Sequence, residues 1–172
     1  YNKLKRTFDA LTVQLKETKD ELAHLESIKN ALDIATDESD LAAVKSELIE
    51  YGYMKRKSSD QTRSKSAKSG SKSRPLHYIS SDGFHIYVGK NNYQNDELTF
   101  EFADGSDWWF HAKKIAGSHV IVKSNGKELP DRTFEEAARL AAYYSSERQA
   151  DKVEVDYTQK KNIKKPAGAK PG

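Results

Sequence analysis

Asp107, His111 and His119 are the side chains in this sequence whose types and spacing could do chemistry. A carboxylate and two imidazoles can hold a zinc ion or form an acid/base set. Period-two alternation puts Asp107, Trp109 and His111 on one face of a strand and Trp108 on the other. No serine or further carboxylate is placed as nucleophile or third ligand. The absence of cysteine excludes thiol nucleophiles, thiolate metal sites and disulfides. The chain therefore reads as a binding protein, not an enzyme, with no metal and no cofactor. The histidines fit a structural role, bonded to backbone or to Asp107, as well as a binding one. Trp109 is expected in the core, which leaves Trp108 as the aromatic available for stacking. Lys113 and Lys114 end the strand beside Gly117-Ser118, either as solvated loop lysines or as a place where backbone N–H groups and cations meet a phosphate.

The elements that must carry these residues are unevenly charged. Residues 1–54 hold 7 basic and 11 acidic groups, and residues 75–157 hold 9 and 14. Residues 55–74 hold 8 basic and 1 acidic, and residues 158–172 hold 5 basic and none acidic. The positive charge thus sits in two tracts: Lys55, Arg56, Lys57, Arg63, Lys65, Lys68, Lys72 and Arg74, then Lys160, Lys161, Lys164 and Lys165. Such tracts suit phosphate backbones, where cations displace condensed counterions without reading sequence. A spacer kept extended by its charge is the plainer reading of the first tract.

With 36% hydrophobic and 32% charged residues and a mean hydropathy of −0.86, the chain is lean for a single core. No run approaches the roughly 18 apolar residues that span a bilayer, and no secretory signal pattern opens the chain. It reads as a cytoplasmic piece of something longer, because it begins without Met on a helical pattern already under way. Leu4, Phe8, Leu11, Leu15, Thr18, Leu22, Leu25, Lys29 and Leu32 keep the four-three rhythm of a coiled coil. Thr36 or Asp37 then caps a second helix carrying Leu41, Val44, Leu48 and Ile49 and ending near Gly52. The first seam is longer than this return helix can cover, so it calls for a further helix or for self-association. Residues 1–54 are read as an arm, 55–74 as a basic linker, and 75–172 as a small α+β domain with a basic tail.

In that domain, Asp82-Gly83 separates two strand-like runs, a hairpin signal, and Asn125-Gly126 closes a later strand. Residues 95–102 favour a helix, although Leu98, Phe100 and Phe102 also alternate as a strand would. Thr133 and Glu136 read as a capping box opening a helix with Phe134, Ala137, Ala138 and Ala141 on one face. Val153, Val155 and Tyr157 alternate as a last strand. Strands with inserted helices in so short a segment argue for α+β, expected to fold independently of the arm.

Asp107-Trp108-Trp109-Phe110-His111-Ala112-Lys113, followed by Gly117-Ser118-His119-Val120, resembles the signature of the NFACT-R domain. The likeness extends to Tyr87-Val88-Gly89-Lys90-Asn91-Asn92, to Asn95-Asp96, and to Lys165-Pro166 and Lys170-Pro171-Gly172. The arm, with Glu47-Leu48 leading to Gly52-Tyr53, is similar to the helix that precedes this domain in the family. The resemblance implies part of a ribosome quality-control factor of the NFACT family. Its expected partners are large-subunit rRNA and tRNA, and its expected process is untemplated alanine tailing of stalled chains. It also implies a second reading, because Gram-positive members are called fibronectin- or fibrinogen-binding proteins and described as surface adhesins without an anchor. Family members continue into a further strand, so one sheet edge is expected to be open.

Overall fold

The computed structural model describes residues 1–56, 73–168, 170 and 171. The first helix, α1 (Asn2–Ile34), runs 33 residues, about 50 Å at 1.5 Å per residue. Every residue from 1 to 23 is exposed, and burial begins only at His24. The second helix, α2 (Glu38–Glu50), starts where the Asp37 carboxylate accepts the Asp40 N–H at 2.9 Å and ends at Gly52, in the left-handed region at φ 79°. The expected caps are in place.

The seam behaves otherwise. Val44 of α2 packs on Ile28 and Ala31, each one position away from the seam residues Lys29 and Leu32. One position is about 100° around a helix, so α2 covers a neighbouring stripe and leaves the whole seam to solvent. Lys29 explains the offset: burying its ammonium unpaired would cost more than burying Ile28 gains. Leu4, Phe8, Leu11, Leu15, Leu22 and Leu32 all remain exposed.

Beyond Arg74 the chain forms a five-stranded antiparallel sheet in the order β1-β2-β4-β3-β5, with β1 Leu76–Ile79, β2 His85–Val88, β3 Trp108–Ala112, β4 Val120–Val122 and β5 Val155–Gln159. This is the expected α+β class. Between β2 and β3 lie α3 (Asn92–Asp96) and a π-helical turn over Glu97–Phe102, the helical alternative for that stretch. Helix α4 (Asp131–Tyr143) covers one face, where Ala137, Ala141 and Phe134 meet Ile86, Val88, Phe110, Val120 and Val122. On the other face Leu98 and Ala103 meet Ile121, Tyr87 and Trp109. Covered on both sides, β4 is buried throughout and has no polar residue to spare.

The capping box is not one. Helix α4 opens on Pro130 without a side-chain cap. Thr133 Oγ1 lies 2.7 Å from Asp82 Oδ2 and 3.1 Å from Ser80 Oγ, and Glu136 accepts the Ser81 N–H at 2.9 Å. The two residues clasp the β1–β2 turn onto the helix, a tertiary task for side chains that local spacing assigns to a cap. Asp82-Gly83 and Asn125-Gly126 do form turns, with Gly83 and Gly126 at positive φ.

Candidate nucleic-acid interface

Asp107 is fully buried just ahead of β3 and accepts the Ser124 N–H at 2.9 Å and the Asp104 N–H at 2.8 Å. Lys123 Nζ stands 2.6 Å from its second oxygen and 2.7 Å from Asp104. That ammonium holds the Asp104 carboxyl below its usual range. Asp107 is therefore not the partner of His111. Its side chain turns into the loop and pins the start of β3 to the end of β4.

The histidines belong to a different knot. Asn95 Oδ1 accepts the His119 N–H at 3.0 Å, and the Asn95 carbonyl lies 3.2 Å from His119 Nδ1, which also meets Thr99 Oγ1 at 2.8 Å. Gly89 donates its N–H to the His119 carbonyl, and a Cβ at position 89 would fall 2.2 Å from Asn95 Oδ1. Only glycine lets α3 come this close to the end of β2. Burial, with His111 beside it, drives the His119 imidazole down to about 3 against the upward pull of its Asn95 bond. His111 is displaced the same way by burial, against its bond to the Gly117 backbone. Both rings are neutral, and among the described residues no group of three metal-ligating side chains forms.

Both tryptophans pack in the core, on opposite faces of the sheet. Trp108 packs edge-on against Phe134 with centroids 4.7 Å apart, beneath α4. Trp109 lies on the opposite face, within 5.7 Å of His111 and 5.2 Å of His119. The alternation was right, but the larger apolar surface of α4 decides which face is the main core. Trp108 is thus half-buried packing and not a free stacking surface.

The arm and the sheet domain are joined by polar contacts. Glu47 is fully buried on α2; its Oε1 lies 3.1 Å from His24 Nε2 and accepts from Asn92 Nδ2 at 2.7 Å. Lys90 Nζ meets Asp40 at 2.6 Å, both nearly inaccessible. Asn30 Nδ2 donates to the Tyr144 carbonyl at 3.2 Å, beside the Ser118 N–H bonded to the same oxygen at 3.0 Å. None of His24, Asp40, Glu47 or Asn92 was singled out from the sequence as a site residue. One signal was available: Asp40, Val44 and Glu47 share a single stripe of α2, two carboxylates in line with its most buried apolar residue.

At this joint a cleft of about 670 Å³ opens, lined by His24 and Ser27 of α1, Asn92 of α3, His111, Lys114, Gly117 and the tail residues Lys170 and Pro171. Asp20 and Glu26 also border it. Lys114 takes a left-handed backbone conformation, φ 57°, rare for a side chain of its size. Lys170 Nζ sits 3.5 Å from His24 Nδ1 and 5.0 Å over the Tyr51 ring. A Cβ at Gly117 would stand 3.3 Å from the Ser145 side chain, tighter than ordinary contact.

The other expected cations scatter. Lys113 pairs with Glu154 at 3.1 Å, and Lys165 pairs with Asp96. Lys160 and Lys161 lie in a 3-10 turn whose N–H groups bond the Asp107 and Gly105 carbonyls, at the opposite end of β3 from Lys113 and Lys114. Lys55, Arg56, Arg74 and Lys164 are exposed, while Lys57, Arg63, Lys65, Lys68 and Lys72 lie outside the described residues. Of the site residues named from sequence, the structure brings His111, Lys114 and Gly117 into one cleft. Ser118 and His119 stand behind its wall.

Residues 74–171 match the family model described as the NFACT protein RNA binding domain, and residues 1–67 match that of the NFACT N-terminal and middle domains. The chain is 41% identical over 173 residues to the Rqc2 homolog RqcH of Streptococcus suis (strain 05ZYH33), covering all of this chain and 30% of that protein. It is 36% identical over 177 residues to the Rqc2 homolog RqcH of Bacillus subtilis (strain 168), covering all of this chain and 29% of that protein. The solved C-terminal part of the fibronectin/fibrinogen-binding protein from Streptococcus suis superposes with a TM-score of 0.84 at 40% identity, covering the whole chain and 67% of that structure. The chain spans less than a third of the length of these curated relatives.

Proposed function

The chain belongs to the NFACT family, and from that premise we propose that it is an RNA-holding part of a ribosome quality-control factor, acting by binding and not by catalysis. In this reading the longer protein engages obstructed large ribosomal subunits in the cytoplasm and supports C-terminal alanine tailing. The part described here contacts large-subunit rRNA and tRNA. One observation carries it: stretches far apart in sequence, around Asn92, His111 to Gly117, and Lys170, converge with the arm on one cleft that has Lys114 and Lys170 at its walls. The two cations can hold phosphate, and the neutral His111 and the Asn92 amide can hydrogen-bond sugar or base edges. A catalytic part for His119 is disfavoured, because its ring is enclosed and held neutral.

Co-sedimentation with purified large subunits between about 50 and 200 mM salt tests the reading. Binding should weaken steeply with salt, and Lys114→Gln or Lys170→Gln should each reduce the slope by about 1. A flat salt response, or variants indistinguishable from the parent chain, would sink it. The name of the Streptococcus suis structure favours a second reading, attachment to fibronectin or fibrinogen outside the cell. Surface plasmon resonance against fibronectin decides between them: binding that survives about 150 mM salt, where exposed charges are largely screened, would support adhesion.

A further inference from the structure

The sheet has two outer edges, and they differ. On one, β5 carries Asp156 and leads into Lys160 and Lys161, charges that discourage pairing with another chain. On the other, β1 is Leu76-His77-Tyr78-Ile79, with no acid, lysine, proline or bulge. It pairs with β2 alone, and among the described residues its outward backbone groups have no partner. Ile79 is 64% exposed.

A groove opens on each face beside this edge. Under α4 one of about 420 Å³ is lined by Tyr78, Ile79, Leu140 and Tyr143 together with Glu136 and Arg139. On the opposite face one of about 210 Å³ is lined by Pro75, Tyr87, Leu98 and Phe102 together with Gln94 and Glu97. The Phe102 ring already carries Lys123 Nζ at 4.9 Å, so a further cation entering this groove is left to Glu97. Glu97 and Glu101 are exposed and form no ion pair among the described residues.

We propose that the β1 edge receives an extended segment of a partner protein as a sixth strand, its alternate side chains apolar toward α4 and Arg or Lys toward Glu97. Strand addition takes affinity from main-chain hydrogen bonds and selectivity from pockets at period-two spacing, and this edge offers both. The charge of the partner follows from the surface: residues 75–157 carry 14 acidic against 9 basic groups. Exposed carboxylates beside aromatic rings attract a guanidinium and repel a phosphate. The site lies outside the cleft assigned to RNA and does not depend on that assignment.

Fluorescence anisotropy of a labelled peptide alternating Val and Arg, titrated with the 172-residue chain, tests the proposal. Saturable binding at about 150 mM salt is expected. It should weaken about tenfold or more when alternate peptide amides are N-methylated, which removes the edge hydrogen bonds but not the charge. Ile79→Lys should weaken it similarly at unchanged melting temperature, and Glu97→Gln should weaken the Arg peptide but not one alternating Val and Ser. The β1 amides should gain protection from hydrogen exchange. Equal affinity for the N-methylated peptide, unprotected β1 amides, or no saturable binding would overturn the proposal. So would displacement by oligouridylate that binds Glu97→Gln more tightly than the parent chain, which would make the groove an RNA site.

Discussion

His119 sits among Thr99, Asn95, Trp109 and His111, and burial first, then the neighbouring His111 ring, keep it from protonating until about 3. In the unfolded chain the same imidazole takes a proton near pH 6.5. The folded state therefore binds fewer protons, so stability is full above pH 6.5 and falls as the pH drops from there toward 3. His111, also displaced downward, adds in the same direction. Urea unfolding midpoints should decline between about pH 7 and 4.5, and His119→Gln should flatten part of the decline. A parent chain with constant stability over that range would contradict the burial argument. Asp40 does not confuse the window. Burial pushes its carboxyl up, but bonds from Lys90, Ser73 and Thr36 outweigh that and hold it at about 2, so its loss begins only below about pH 4. Asp107→Ala strands two backbone N–H groups and half of the Lys123 pairing, and should cost about 3 kcal/mol or more in urea denaturation. Asp107→Asn, which keeps an acceptor oxygen, should cost less.

Much of the element order was legible because it rests on local chemistry. Asp37, Gly52, Gly83 and Gly126 each stand where a cap or turn demands their type, and period-two runs mark β2, β3 and β5. What stayed illegible depended on contacts between distant elements. Thr133 and Glu136 have capping-box spacing, yet the β1–β2 turn competes for both side chains and wins. Trp108 and Trp109 alternate as expected, but alternation cannot say which face a helix will cover. The cleft was half legible: His111 and Gly117 stood out by motif and Lys114 by its place at the strand's end, whereas His24 and the role of Asn92 gain their meaning only from meeting Glu47. Thr133→Val isolates one such contact. It removes the hydroxyl held by Asp82 and Ser80 at nearly constant volume and should destabilise the domain by about 1 to 3 kcal/mol. Hydrogen exchange should quicken first at Ser81 and Gly83.

For the whole molecule, the uncovered seam of α1 carries the clearest expectation. Leu4, Phe8, Leu11, Leu15 and Leu22 form one exposed stripe with none of the described residues covering it. Burying each such side chain gains about 1.5 to 3 kcal/mol, so the chain should self-associate at micromolar concentration. Sedimentation velocity should report a dimer or larger species, reverting to monomer in the double variant Leu11→Glu and Leu22→Glu. A strictly monomeric parent would refute it. The same helix has a mechanical consequence. Among the described residues it is held from His24 onward, by the packing of Ile28 and Ala31 on Val44, by Glu47 and Asn92, and by the Asn30 bond to Tyr144, so residues 1–23 reach about 35 Å beyond the anchored part. Tilting that anchored part by about 10° would swing residue 1 by about 6 Å, a magnification set by the 1.5 Å rise per residue. The packing and hydrogen bonds around Glu47, Val44 and Asn30 thus set the pointing accuracy of α1.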